Sequence, residues 1–257
     1  MRFRSVCLFA GLLVIGAAGL RAPAAPDIGL FASVNAASFS DQPVAPGSLV
    51  SGFGAGLAEH TVTAKSLPLP RELDAVQVLV NGEPAPLQMV SPGQINYVLP
   101  QKTPLGTATV EVTRKGEVVA RGVVLVWQVS PGLFTRGGGG GGQGAVANAD
   151  WSLNSEEKPA RPGEFIHIFG TGAGAVTPPV PDGAAAPSEP LSRTVSVPEV
   201  LIDGQRAEVS FSGLAPGMAA TWLIDARIPP GVTPGPGVSL RVRLAGRHSN
   251  RVTIAVR

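Results

Sequence analysis

A chain of 257 residues with 33 glycines, 25 prolines, one cysteine and a formal charge of +2 has room for two domains of about 100 residues, each able to bury its own core. The positive charge is small and scattered, with no basic run and no recognisable binding motif, so nucleic acid is excluded as a partner. The only thiol, Cys7, sits in the amino-terminal stretch, which rules out a disulfide framework, a cysteine metal site and a cysteine nucleophile for the remainder.

Arg2 and Arg4 precede an apolar run from Val6 to Leu20 and the small residues Ala22, Ala24 and Ala25. A basic start, an apolar middle and an Ala-x-Ala exit form the layout of a secretory signal peptide. The run falls short of the roughly 20 residues that cross a bilayer. Residues 1–25 are therefore expected to be a cleaved leader. The chain is expected to be exported to the periplasm, the cell surface or the medium, with no membrane span after cleavage.

Short apolar runs follow, punctuated by glycine and proline as turns punctuate strands. The first set predicts strands over 48–53, 76–80, 85–90, 95–99, 107–112 and 119–126. The second predicts strands over 164–169, 196–202, 207–211, 221–228, 238–244 and 252–256. Val76, Val78 and Val80 alternate with Gln77 and Leu79, the period of a half-buried strand. No stretch after the leader sustains a helical period.

The two sets repeat one order. Pro46-Gly47 through Phe53-Gly54-Ala55-Gly56 returns as Pro162-Gly163 through Phe169-Gly170-Thr171-Gly172. Val80-Asn81-Gly82 returns as Ile202-Asp203-Gly204, Ser91-Pro92-Gly93 as Ala215-Pro216-Gly217, and Ile95-Asn96 as Ile224-Asp225. Matches in one order imply a duplicated domain. Asn-Gly and Asp-Gly between apolar runs predict tight hairpin turns. The predicted architecture is all-β, two tandem immunoglobulin-like β-sandwich domains over 26–127 and 144–257. Six consecutive glycines, Gly137 to Gly142, mark 128–143 as a Gly-rich linker, a composition that holds no fixed conformation by itself.

Several of these motifs carry a family likeness. Val34-Asn35-Ala36-Ala37-Ser38-Phe39, Ala45 through Val50 and Val90 through Tyr97 resemble the opening half of an acidobacterial family, the Solibacter-type C-terminal domain. Gly144-Ala145-Val146, Phe169 through Gly172, Phe211 through Gly217 and Ser249 through Ile254 resemble its closing half. The resemblance covers residues 30 to 257. It implies paired immunoglobulin-like domains of the IPT/TIG type, found beside repeat or adhesion modules of exported proteins. It supplies no catalytic residue.

The residues themselves give no catalytic signature either. There is no Gly-x-Ser-x-Gly elbow and no His-Glu-x-x-His, and His60, His167 and His248 are isolated along the chain. His167 reads as an outward side chain on an amphipathic strand, and Asp203 as a turn residue. Gly170 to Gly174 imitates a dinucleotide fingerprint but lacks the helix that would hold phosphate. Arg241 and Arg243 share one face of a strand and read as a solvated surface. The expectation is a chain that is not an enzyme, with no cofactor and no metal.

Flat aromatic faces with polar edges suit sugar and protein contacts. Trp222, inside an apolar run, reads as core. Trp151, between Asp150 and Ser152, and Tyr97 stand as the candidate binding residues. Three functions remain open: an exported module that binds a protein or glycan at the cell envelope, a structural spacer without a ligand of its own, and a hydrolase with an unrecognised site.

Overall fold

The computed structural model describes residues 28–257; the expected leader, residues 1–25, lies outside the described residues. Among the described residues the regular elements are strands, with no α-helix, and no helix is long and apolar enough to cross a membrane.

The first half folds as two sheets. One runs in the order Gly29–Leu30, Glu117–Val126, Gly106–Arg114, Val76–Val80, Glu83–Pro84. The other runs Ala32–Asn35, Leu49–Phe53, Gln94–Val98, Leu87–Val90, Val62–Thr63. Successive side chains in a strand point to opposite faces, so Val76, Val78 and Val80 of one sheet meet Val50, Ile95 and Leu87 of the other in a shared core.

The second half repeats the plan with one difference. Strand Gln205–Leu214 belongs to both layers: its start pairs with Glu199–Ile202 and its remainder with Trp222–Arg227. The layers therefore join into one folded sheet that encloses Ile166, Ile168, Trp222 and Ile224 against Val200, Leu240, Val242 and Ile254. The first half splits at this point into Glu83–Pro84 and Leu87–Val90. Pro84 and Pro86 occupy the positions of Arg206 and Glu208 in the repeat, and a proline has no N–H to give a ladder. Both hairpins turn as expected, with Asn81 at φ 49 and Asp203 at φ 51, each followed by glycine. The chain is two tandem immunoglobulin-like β-sandwiches.

The segment 128–143, read from sequence as a linker, is instead fastened to the second sandwich. Gly132–Leu133 pairs with Gly170 and Thr171, and Thr135 bridges Gly144. Asn250 clamps the segment: its Oδ1 accepts from Leu133 N at 2.8 Å, and its Nδ2 donates to the carbonyls of Leu133 and Gly140 at 2.9 and 2.8 Å. A primary amide carries both donors and an acceptor, so one side chain supplies the order that the glycines lack.

The two halves also meet directly. Leu49 N donates to Thr171 Oγ1 at 2.9 Å, Asn35 Nδ2 to Ser130 O at 2.8 Å and Leu69 N to Gly183 O at 2.8 Å. Ala36, Leu49 and Val98 pack with Phe134 and Ala220 across the junction. Gly172, at φ 84, lets its backbone pass so close to Ser130 that a Cβ there would lie 1.8 Å from the Ser130 oxygen. The glycine cluster that imitates a nucleotide fingerprint thus serves close backbone approach.

Candidate functional site

Strands Phe165–Thr171 and Trp222–Arg227 pair with Phe165 opposite Arg227, His167 opposite Asp225 and Phe169 opposite Leu223. Ile166, Ile168, Trp222 and Ile224 turn into the core, so those three rows form the outer face. Strand Gln205–Leu214 extends it, placing Glu208 beside Arg227 and Phe211 beside Asp225. A bulge between Val209 and Phe211 absorbs one residue, Ser210, and so keeps Phe211 on this face.

Each row carries a specific contact. The Arg227 guanidinium lies 4.6 Å from the Phe165 ring centre, and its Nε sits 3.2 Å from Glu208 Oε2. His167 Nδ1 lies 2.7 Å from Asp225 Oδ1; a carboxylate only accepts, so the imidazole donates. Phe169, Phe211, Ala215 and Leu223 form a small apolar cluster at the far end, with the Arg193 guanidinium 5.0 Å from Phe211.

Trp151 completes the middle row. Strand Val146–Asn148 adds to Phe165–Thr171, turns through Ala149 to Ser152 and returns with Leu153 bridging Ala147. In that turn Trp151 N donates to Asn148 O at 2.8 Å and Ser152 N donates to Asp150 Oδ1 at 3.0 Å. Trp151 adopts φ 64, and its ring stacks on His167 with centroids 3.8 Å apart and planes inclined by 6°. Stacked on one face, Trp151 is still 59% exposed.

The loop beneath it is braced from within. Asn154, fully buried, donates to Asn148 Oδ1 and Ala255 O and accepts from Ala255 N, at 2.9, 2.9 and 2.7 Å. Asn148 in turn donates to Lys158 O at 2.9 Å. Beside the turn lies an open cleft of about 420 Å³ lined by Asn148, Asp150, Ser152, Lys158, Arg161 and Arg257, among others. The Ser152 hydroxyl and amide hold the Asp150 carboxyl below its ordinary value, and the Ser155 hydroxyl does the same for Glu157. The arrangement offers an exposed aromatic face on a braced turn, with donors and acidic acceptors lining the cleft beside that turn.

Of the residues singled out from sequence, the structure places Trp151 on the surface and Trp222 in the core, where its Nε1 donates to Ser212 Oγ at 2.9 Å. Tyr97 is a correction. It is fully buried, its hydroxyl donates to Ser33 Oγ at 2.9 Å, and burial pushes its ionisation above the ordinary tyrosine range. Tyr97 faces inward because it alternates with Asn96 and Val98 on a strand whose inner face is the first core, so it touches no ligand and does not join Trp151.

Sequence reasoning left His167 as an isolated outward residue and missed its pairing with Asp225. The repeat held the signal: His167 aligns with Ser51 and Asp225 with Asn96, and Ser51 Oγ donates to Asn96 Oδ1 at 2.9 Å in the first half. Asn148-Ala149 likewise repeats Asn35-Ala36, each followed by an aromatic residue at positive φ, Trp151 and Phe39. Among the described residues, no group of three or more histidine, cysteine or acidic side chains could hold a metal ion.

No family model and no curated protein matches the chain. Solved structures similar to it include SGBP-B of the Bacteroides ovatus mixed-linkage glucan utilization locus, bound to a mixed-linkage heptasaccharide, at 16% identity over 91% of this chain and 48% of that one, TM-score 0.26. SGBP-B from a complex xyloglucan utilization locus of Bacteroides uniformis matches at 13% identity over 90% and 49%, TM-score 0.27. The BSP domain of a biofilm associated protein matches at 13% identity over 84% and 28%, TM-score 0.28. The chain spans about half the length of the two SGBP-B structures. Likeness at this level leaves function to be argued from the chain's own residues.

Proposed function

We propose that the chain is an exported, non-enzymatic β-sandwich module that binds a glycan, with Trp151 as its platform. The observation that carries the reading is the stack of Trp151 on His167, itself anchored to Asp225. A solvated tryptophan that served only packing would gain by lying down on an apolar surface. This one is held in a left-handed turn, one face supported and the other open. Sugar rings present C–H faces that lie on an indole and hydroxyls that reach nearby donors and acceptors; Asp150, Ser152, Lys158 and Arg161 line the cleft beside the turn that carries Trp151. Export rests on the leader-like residues 1–25.

The test is affinity electrophoresis of the mature protein against a panel of soluble neutral polysaccharides, β-glucans, arabinoxylans and mannans, repeated with Trp151→Ala. Retardation by at least one polysaccharide is expected. Loss of an aromatic anchor of this kind costs about 2 kcal/mol, or about 30-fold in Kd. Retardation that persists undiminished in Trp151→Ala overturns the assignment of the platform. Absence of retardation across the panel returns the chain to a protein-binding or spacer role.

A further inference from the structure

A second cleft of about 420 Å³ lies at the junction of the sandwiches, away from the Trp151 turn in the chain. Ser38, Ser40 and Gln42 of the first half face Arg241, Arg247 and His248 of the second across Trp127, with Asn250 and the backbone around Val129 to Pro131 beneath. Its lining includes two arginines and a histidine and no carboxylate.

Both guanidinium groups are held in place without being neutralised. Arg241 Nε donates to Ser249 O at 3.0 Å. Ser249 is fixed in turn, its hydroxyl accepting from Val242 N and donating to Asn250 O at 2.9 and 2.7 Å. The Arg247 guanidinium lies 3.4 Å above the centre of the Trp127 ring, a contact that orients the fork and leaves its N–H edges free. Among the described residues neither arginine forms an ion pair, whereas neighbouring Arg243 lies 3.6 Å from Glu199.

The duplication sharpens the point. The hairpins of the two halves turn at Lys115-Gly116 and Ala245-Gly246, all four with positive φ. Counting from those turns, Arg241 stands where the first half has Glu111, and Arg247 where it has Glu117. Glu111 is neutralised by Arg121, at 2.7 Å. The second half thus reverses the charge at two equivalent positions and supplies no partner. Arg241 is half-buried and Arg247 exposed, so both guanidinium groups remain open to an incoming anion.

We propose that this junction cleft is a second ligand site, which takes an acidic sugar unit: a uronate whose carboxylate is received by Arg241 and Arg247 and whose hydroxyls meet Ser38, Ser40 and Gln42. A planar guanidinium fork matches a carboxylate in two-point geometry, and the uncharged hydroxyls and amides around it match a sugar ring better than an acidic peptide. The site stands independently of the Trp151 platform.

The experiment is calorimetric titration of the mature protein with trigalacturonate at low and moderate salt. Maltotriose serves as the neutral control and triglutamate as the acidic peptide control. Saturable binding of trigalacturonate alone is expected, weakened about tenfold or more in Arg241→Gln and in Arg247→Ala and reduced by added salt. Arg247→Lys, which keeps the charge and the fold but loses the fork, is expected to fall between parent and Ala. Trp151→Ala is expected to bind trigalacturonate as the parent does, which separates this site from the platform. Failure of trigalacturonate to bind, equal binding by the arginine variants, equal binding of triglutamate, or loss of binding in Trp151→Ala would each overturn the proposal.

Discussion

Gly172→Ala tests whether the junction is a built contact or a casual one. Gly172 sits at φ 84, where a side chain costs about 1–2 kcal/mol by backbone sterics alone. Its added Cβ would also lie 1.8 Å from the Ser130 oxygen and 3.2 Å from Asn35 Nδ2. That oxygen is itself tied down by Asn35 Nδ2, and the Ser130 amide donates to Gly172 O at 2.9 Å. The clash therefore cannot be relieved by swinging a side chain aside. Overpacking of this sort adds about 1–3 kcal/mol, for a total of about 2–5 kcal/mol. Gly217 provides the control, since it has φ 76 and nothing within 4 Å of the added Cβ, so Gly217→Ala carries the backbone cost alone. Urea unfolding followed by tryptophan fluorescence should show Gly172→Ala below Gly217→Ala by about 0.5–1.5 M in midpoint, taking a slope of about 2 kcal/mol per molar. Equal midpoints for the two variants would refute the close-approach reasoning.

Tyr97 predicts a dependence of stability on alkaline pH. Its folded-state ionisation is raised by burial above the unfolded value of about 10, so its contribution is complete below that pH and is lost as pH rises toward the folded value. The slope is about 1.4 kcal/mol per pH unit; Tyr97→Phe should remove it in denaturant titrations between pH 10 and 11 while leaving glycan retardation unchanged. Asn154→Ala strips the bonds to Asn148 and Ala255 and should cost about 3 kcal/mol, read as a lower melting temperature together with loss of the Trp151 near-ultraviolet dichroism. His167→Ala removes the support under Trp151 and should redshift its emission and weaken glycan binding about tenfold, alongside a stability loss of about 1–2 kcal/mol from the unpaired Asp225. A variant that loses stability yet keeps its affinity would argue against support through His167.

Much of the sandwich pair was legible because its determinants are local and were written twice. Asn81-Gly82 and Asp203-Gly204 fix hairpins wherever they occur between apolar runs, and alternation such as Val76, Val78 and Val80 fixes which face is buried. Strand ends were less legible. The run expected to start at Ala85 starts at Leu87, because Pro86 has no donor for the ladder, while Gln205–Leu214 extends at both ends of the expected 207–211 because no proline interrupts it. Ala32–Asn35 and Val146–Asn148 were missed, since strands this short carry too few residues to show a period. The Gly-rich segment was misread for another reason: its order comes from Asn250, far along the chain, and composition cannot report a distant clamp. Tyr97 failed as a binding candidate because residue type was weighed without its strand parity.

The same parity argument shows where a duplicated fold keeps room for function. Inner positions are constrained alike in both halves: Val50 and Ile95 answer to Ile166 and Ile224, all buried. Outer positions are free to diverge, and two of them do so in chemically directed ways. Ser51 with Asn96 is a neutral pair in which Ser51 is buried, while His167 with Asp225 is an ionisable pair that carries an exposed indole. Glu111 with Arg121 is a closed ion pair, while Arg241 at the Glu111 position stands open on a cleft. Drift on a solvated strand face would scatter such changes without regard to their neighbours. Here each change is accompanied by the contacts that hold it in place: the Trp151 turn braced by Asn148 and Asn154 in one case, Ser249 and Trp127 in the other. Grafting tests this directly. Ser51→His with Asn96→Asp in the first half should cost about 1–3 kcal/mol by overpacking the buried Ser51 position and should confer no glycan affinity, because the aromatic side chain of that turn, Phe39, is tilted against Phe53 with ring centres 6.3 Å apart. Glycan retardation gained by that double variant in a Trp151→Ala background would show that the His–Asp pair suffices without the platform, and would move the site from the indole to the pair.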